Sequence, residues 1–88
     1  MRRNALICNK LGLHARAAAK LVQSAAGFEC DLKIAMNGKE VNGKSIMGVM
    51  MLAAGQGTEI ELIAEGKDAL QALDDLATLI ENRFGEDE

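Results

Sequence analysis

The sequence predicts an α+β fold of two layers, a mostly antiparallel four-stranded sheet with its helices on one face. Three observations lead there. Cys30, Leu32, Ile34 and Met36 alternate with Asp31, Lys33, Ala35 and Asn37, and Ile60, Leu62 and Ala64 alternate with Glu59, Glu61 and Glu65; this period of two belongs to half-buried strands. Ala18, Leu21, Val22 and Ala25 share one helical face, and Ala69, Leu73, Leu76, Ala77, Ile80 and Phe84 form a second apolar stripe at helical spacing. The elements follow in the order β-α-β-β-α-β-α, with no internal repeat and no linker.

Taken in order, residues 5–8 are a short apolar run, read as the first strand, and Asn9-Lys10-Leu11-Gly12 is a turn. A helix follows, favoured by Ala17, Ala18 and Ala19 and stopped by Gly27 at its C′ position. The alternating stretch from Cys30 is the second strand. Asn37-Gly38 is a hairpin turn, and the chain returns through Val41. Gly43 breaks that strand, and Ser45 caps a second, short helix through Leu52. Gly48 inside it costs about 1 kcal/mol relative to Ala. Gly55-Gln56-Gly57 turns into the fourth strand, whose alternation Ile63 interrupts. Asp68 is the expected N-cap of the last helix, which keeps Asp74, Asp75 and Glu81 off its apolar stripe.

Eighty-eight residues are read as one domain over 1–88, with a core too modest to enclose a large active site. Apolar residues are 49% and charged residues 26%, a globular composition. A net charge of -3 and scattered Lys and Arg argue against nucleic acid, and with only Phe28 and Phe84 aromatic there is no stacking platform. Gly85-Glu86-Asp87-Glu88 reads as a solvated acidic tail. Cys8 and Cys30 lack metal-ligand spacing and only one His is present, so no metal or cofactor is expected and both thiols read as buried or half-buried. The run 5–8 is too short for a signal peptide and 46–54 too short for a membrane span, which makes the cytoplasm the expected location.

The chemistry concentrates at His14, placed at or near the N-cap of the first helix by Gly12-Leu13-His14-Ala15-Arg16. The first amides of a helix have no intrahelical partner, so those of Ala15, Arg16 and Ala17 form an anion site supported by the helix dipole. Arg16 adds a fixed charge with a planar donor fork. A neutral imidazole nitrogen beside such a site suits reversible phosphoryl capture. The plain alternatives are a His that only caps or faces solvent, and a helix end that binds a stray anion.

Asn9-Lys10-Leu11-Gly12-Leu13-His14-Ala15-Arg16-Ala17-Ala18 resembles the active-site motif of the HPr family of phosphotransferase-system phosphocarriers. Asn42-Gly43-Lys44-Ser45-Ile46-Met47-Gly48-Val49-Met50-Met51-Leu52 resembles the same family's second signature. The resemblance implies an open-faced β-sandwich with three helices on one side of a four-stranded antiparallel sheet. It implies that His14 takes a phosphoryl group on Nδ1 from Enzyme I, at the expense of phosphoenolpyruvate, and passes it to an Enzyme IIA, with Arg16 as the active-site arginine. The protein would then be a carrier and not an enzyme. One departure is Ala17, where the family commonly has proline; alanine restores an N–H and loosens the helix entry.

Ser45 carries two readings, an N-cap and, by resemblance, a regulatory site for an HPr kinase/phosphorylase. Ile46, Met47, Met50 and Met51 exceed what one face of a short helix can bury. Ile46 and Met47 are expected to project outward, while Val49, Met50 and Leu52 can also be read as core. Lys10, Leu13, Ile46, Met47 and Met50 are the candidate docking residues, with Lys10 and Arg16 steering acidic partners. The acidic end and the methionine-rich second signature resemble the nitrogen-related branch of the family more than the sugar-uptake branch. A ferredoxin-like interaction module with an incidental His14 is the alternative of another class. A monomer is expected for a shuttle that meets several partners through one surface.

Overall fold

Among residues 1–87, which this computed structural model describes, four strands and three helices follow in the expected order. They are β1 (Arg2–Leu6), α1 (Ala15–Ala26), β2 (Asp31–Met36), β3 (Lys39–Asn42), α2 (Ile46–Met51), β4 (Glu59–Glu65) and α3 (Ala69–Glu81). The sheet order is β1-β4-β2-β3 and every pairing is antiparallel. β4 thus lies between β1 and β2, with Ala5 opposite Ile60 and Ile34 opposite Leu62. Asn37 and Gly38 both adopt positive φ, as the two-residue hairpin between β2 and β3 requires.

Alternation decides which face is covered. Ala5, Leu32, Ile34, Ile60, Leu62 and Ala64 are buried beneath the helices together with Ala18, Leu21, Val49, Leu73, Leu76 and Ile80. The opposite face carries Lys33, Glu61 and Ile63 in cross-strand register. Ile63 therefore does not break the strand; it is half-buried on the open face, opposite Arg2 and Lys33.

Three sequence expectations are corrected here. The first strand begins at Arg2, because Arg2, Arg3 and Asn4 ladder with Ile63, Leu62 and Glu61, and polarity on an open face does not prevent pairing. Gly27 ends α1 in a right-handed conformation with φ -75, so the helix stops without a left-handed glycine. The apolar stripe of α3 reaches Phe84, but the helix ends at Glu81. Arg83 and Phe84 take φ 57 and 56, and a 3-10 turn (Arg83–Gly85) drops the Phe84 ring back into the core. Asp68 is the N-cap residue of α3, as expected, although its side chain makes no capping hydrogen bond. Its carboxylate instead accepts from the backbone N–H of Glu29 at 2.8 Å and of Cys30 at 2.9 Å, pinning the entry of β2 to the start of α3.

The Asp68 carboxyl is held below its ordinary range, first by the Glu29 amide and further by the Cys30 amide and thiol, against the opposing effect of burial. Burial, then Asp68, pushes the Cys30 thiol up. A depressed carboxyl contributes stability above its unfolded pKa and loses it as pH falls through the native one. Asp68→Asn, which turns an amide donor toward an amide donor, should therefore be less stable at pH 7. In thermal melts its deficit should shrink as pH drops through the depressed range; a constant deficit would show that the charge is irrelevant.

Candidate functional site

The segment between β1 and α1 is shaped by one buried amide. Asn9 is fully buried, and its Nδ2 donates to the Gly12 carbonyl at 2.8 Å, while the Gly12 N–H donates to the Asn9 carbonyl at 3.2 Å. Gly12 has φ +65, and a Cβ there would lie 2.4 Å from the Ala54 carbonyl oxygen. Only glycine permits both the left-handed conformation and this approach. The Leu13 N–H donates to the same Ala54 carbonyl at 2.9 Å. These contacts seat the loop against the chain that leaves α2 and deliver His14 to the mouth of α1.

His14 is the N-cap residue of α1 in backbone terms, with φ -70 and ψ 177, and its carbonyl accepts from the Ala18 N–H at 2.9 Å. Its side chain makes no capping hydrogen bond. Among the described residues nothing accepts from the amides of Ala15, Arg16 and Ala17, so the first turn of α1 keeps its donors available. Arg16 and Ala15 are exposed, and no described ion pair holds the Arg16 guanidinium. Ala17 is fully buried as the third residue of α1, so the helix entry forms without proline.

The ring turns toward the end of the chain. His14 Nε2 lies 2.5 Å from Glu86 Oε2, with the two side chains 27% and 14% exposed. Glu86 Oε1 accepts from Asn9 Nδ2 at 3.0 Å. The His14 hydrogen bond does most to hold the Glu86 carboxyl below its ordinary range; burial opposes it, and the Asn9 amide and the Lys20 charge reinforce it. An ionised carboxylate only accepts, so Nε2 carries the hydrogen of this contact, and in the neutral ring the lone pair is then on Nδ1. The part-exposed imidazole thus stands at the start of α1, beside backbone amides that none of the described residues accepts from.

This arrangement corrects the reading of 85–88 as a solvated tail. Glu86 folds back over 72 positions of sequence to reach the ring, while Glu88 lies outside the described residues. The return is built by the left-handed pair Arg83 and Phe84, the buried Phe84 ring, and Lys20 Nζ, which donates to the Phe84 carbonyl at 2.6 Å. Neither Asn9 nor Glu86 was identifiable from local pattern. A polar residue in a turn ordinarily faces solvent, and a carboxylate near a chain end gives no periodic signal.

The second signature lies alongside. Ser45 is the N-cap of α2, and its Oγ accepts from the Gly48 N–H at 3.1 Å. Val49 and Leu52 are buried, whereas Ile46, Met47, Met50 and Met51 are exposed, Met47 most of all at 70%. Lys10 and Leu11 are exposed on the His14 loop. Leu13 is corrected: at 4% exposure it belongs to the core and cannot form part of a docking face. Leu11, not singled out from the sequence, is the apolar side chain of the loop that reaches solvent. Among the described residues no group of three or more His, Cys, Asp or Glu could hold a metal ion. Both cysteines are free, Cys8 half-buried and Cys30 buried.

Comparison with known proteins agrees with this fold. A family model described as the PTS HPr component phosphorylation site matches residues 1–82. The phosphocarrier protein HPr of Cupriavidus necator is 54% identical over 88 residues, covering 100% of this chain and 99% of the relative. The crystal structure of HPr-C-His from Thermoanaerobacter tengcongensis superposes with a TM-score of 0.96 at 44% identity, covering 100% of this chain and 99% of that one. An HPr dimer from the same organism gives a TM-score of 0.80 at 49% identity, covering 91% and 92%.

The loop geometry makes Gly12 a sensitive position. Gly12→Ala combines a left-handed alanine with a forced backbone shift and should cost about 2–4 kcal/mol in urea denaturation. A loss within about 0.5 kcal/mol, the range of ordinary surface changes, would mean that the loop re-seats freely.

Proposed function

The chain belongs to the HPr family of phosphotransferase-system phosphocarriers, and on that premise we propose that His14 is the residue that is loaded and unloaded. The observation that carries this reading is the imidazole itself, part-exposed at the mouth of α1, with Nε2 turned to Glu86 and the first three amides of the helix without an acceptor among the described residues. Nδ1 attacks the phosphoryl group carried by Enzyme I, ultimately derived from phosphoenolpyruvate, and an Enzyme IIA removes it. The amides of Ala15, Arg16 and Ala17 receive the phosphoryl oxygens, and the exposed Arg16 swings in to share the charge. The protein acts as a stoichiometric carrier, with one domain over 1–88 meeting each partner in turn as a monomer.

Partners dock over the exposed apolar side chains of α2 and the neighbouring loop, where Ile46, Met47, Met50 and Leu11 offer adaptable contacts and Lys10 and Arg16 supply positive charge. No helix among the described residues is long and apolar enough to cross a membrane, and cytoplasmic partners fit such a shuttle. The methionine-rich α2 and the acidic end favour the nitrogen-related branch over the sugar-uptake branch. Ser45, at the edge of this surface, is the place where an HPr kinase/phosphorylase would add charge and repel acidic partners.

Incubation with Enzyme I and phosphoenolpyruvate should give an acid-labile phosphoryl adduct by mass spectrometry that is lost in His14→Ala. An adduct that persists in that variant would place the chemistry elsewhere. Comparing the rates at which candidate Enzyme IIA proteins unload the carrier would decide the branch. At Ser45, alanine should cost about 1 kcal/mol through loss of the cap, while aspartate should keep most of the stability yet slow transfer to and from partners. Denaturant midpoints and transfer rates measure the two effects separately.

A further inference from the structure

The contact between Glu86 and His14 comes with a supporting construction whose cost calls for an explanation. Asn9 is fully buried, both hydrogens of its amide are used, on the Gly12 carbonyl and on Glu86 Oε1, and among the described residues its Oδ1 has no partner. Turning the amide over would set its oxygen against two acceptors, so the orphaned oxygen is the cost of having both donors in place. Arg83 and Phe84 hold left-handed backbone at φ 57 and 56, a strain that non-glycine residues accept where surrounding structure dictates it. Lys20 locks that turn through the Phe84 carbonyl. An unsatisfied buried acceptor, two strained residues and a clamped carbonyl all serve to bring one carboxylate to Nε2 of one imidazole.

We propose that Glu86, oriented by Asn9, is a positioning residue for phosphoryl transfer, keeping the hydrogen of His14 on Nε2 and offsetting the charge the ring acquires when Nδ1 is phosphorylated. The proposal rests on His14 being the acceptor. The step balances without proton movement. The Nδ1 lone pair forms the bond to phosphorus as the donor's bond to phosphorus breaks, and the donor keeps that electron pair. With a hydrogen on Nε2 and phosphorus on Nδ1, the ring becomes cationic, and the carboxylate already bonded to Nε2–H stabilises it, as carboxylate partners do for catalytic imidazoles elsewhere. On unloading, the electron pair returns to Nδ1 and the neutral Nε2–H ring is restored. Glu86 also sits at the edge of the ring away from the phosphoryl group, so its charge meets the cation before it meets the phosphoryl oxygens.

The test uses Glu86→Gln, which keeps size and removes charge. Glu81→Gln, an exposed position at the end of α3, controls for the change in net charge. In 15N spectra of the unphosphorylated ring, above its titration, the wild type and Glu81→Gln should show one tautomer with hydrogen on Nε2, and Glu86→Gln should show nitrogen signals shifted toward exchange between the two. In single-turnover loading from phosphorylated Enzyme I, Glu86→Gln should be about tenfold slower, the effect of weakening one charge-assisted hydrogen bond. Wild-type ring signals and a wild-type rate in Glu86→Gln would overturn the positioning role while leaving the carrier intact. Slower loading with unchanged ring signals would overturn it too, by assigning Glu86 to docking. Failure of the wild-type protein itself to load at His14 would instead bring down the carrier reading.

Discussion

The side-chain amide of Asn9 is the interaction on which the site depends. It lies where β1, the loop to α1 and the end of the chain converge, and it bonds to two of them at once, the Gly12 carbonyl and the Glu86 carboxylate. A buried amide of this kind acts as a rigid bracket, because any displacement leaves several polar groups unpaired in a dry interior. Gly12 completes the bracket from the other side by pressing against the Ala54 backbone, closer than a side chain would allow. The position of His14 is therefore set by packing and hydrogen bonds on both sides of its loop, and the open amides of α1 follow from where the helix starts.

The two charged groups that matter most in this architecture are both carboxylates used by distant backbone or side-chain donors. Asp68 holds the start of β2 and Glu86 holds the imidazole, and each is kept ionised by the donors it accepts from. The sheet and helices supply the bulk of the stability through apolar burial, while these acceptors fix details of chain path that burial alone leaves loose. Ser45 works on the same principle at smaller scale, giving the six-residue α2 a defined start from which its methionines fan outward.

What the sequence reveals follows from how far each signal travels along the chain. The alternation in β2 and β4, the Asn37-Gly38 hairpin and the Ser45 cap are local, and the residues that make them lie within a few positions of one another. His14 at the start of α1 was legible for the same reason. Arg2 to Asn4 were hidden because a strand with a wet face needs a partner to reveal it. Leu13 read as accessible beside His14, yet its amide bonds to the Ala54 carbonyl and its side chain is buried. Phe84 continued the stripe of α3 although its backbone had already left the helix. Glu86 lay beyond any local rule, since a carboxylate 72 positions from its partner leaves no trace in spacing or periodicity.

Glu86 covers the Nε2 edge of the imidazole, so on the proposed function phosphoryl donor and acceptor would both meet the ring at Nδ1. On that reading the two compete for one nitrogen, and no ternary assembly would form through His14. Each encounter has to end before the next begins, which gives exchange of the ping-pong type with donor and acceptor as mutual competitors. For a molecule of 88 residues, that would make alternation between partners a consequence of one ring nitrogen.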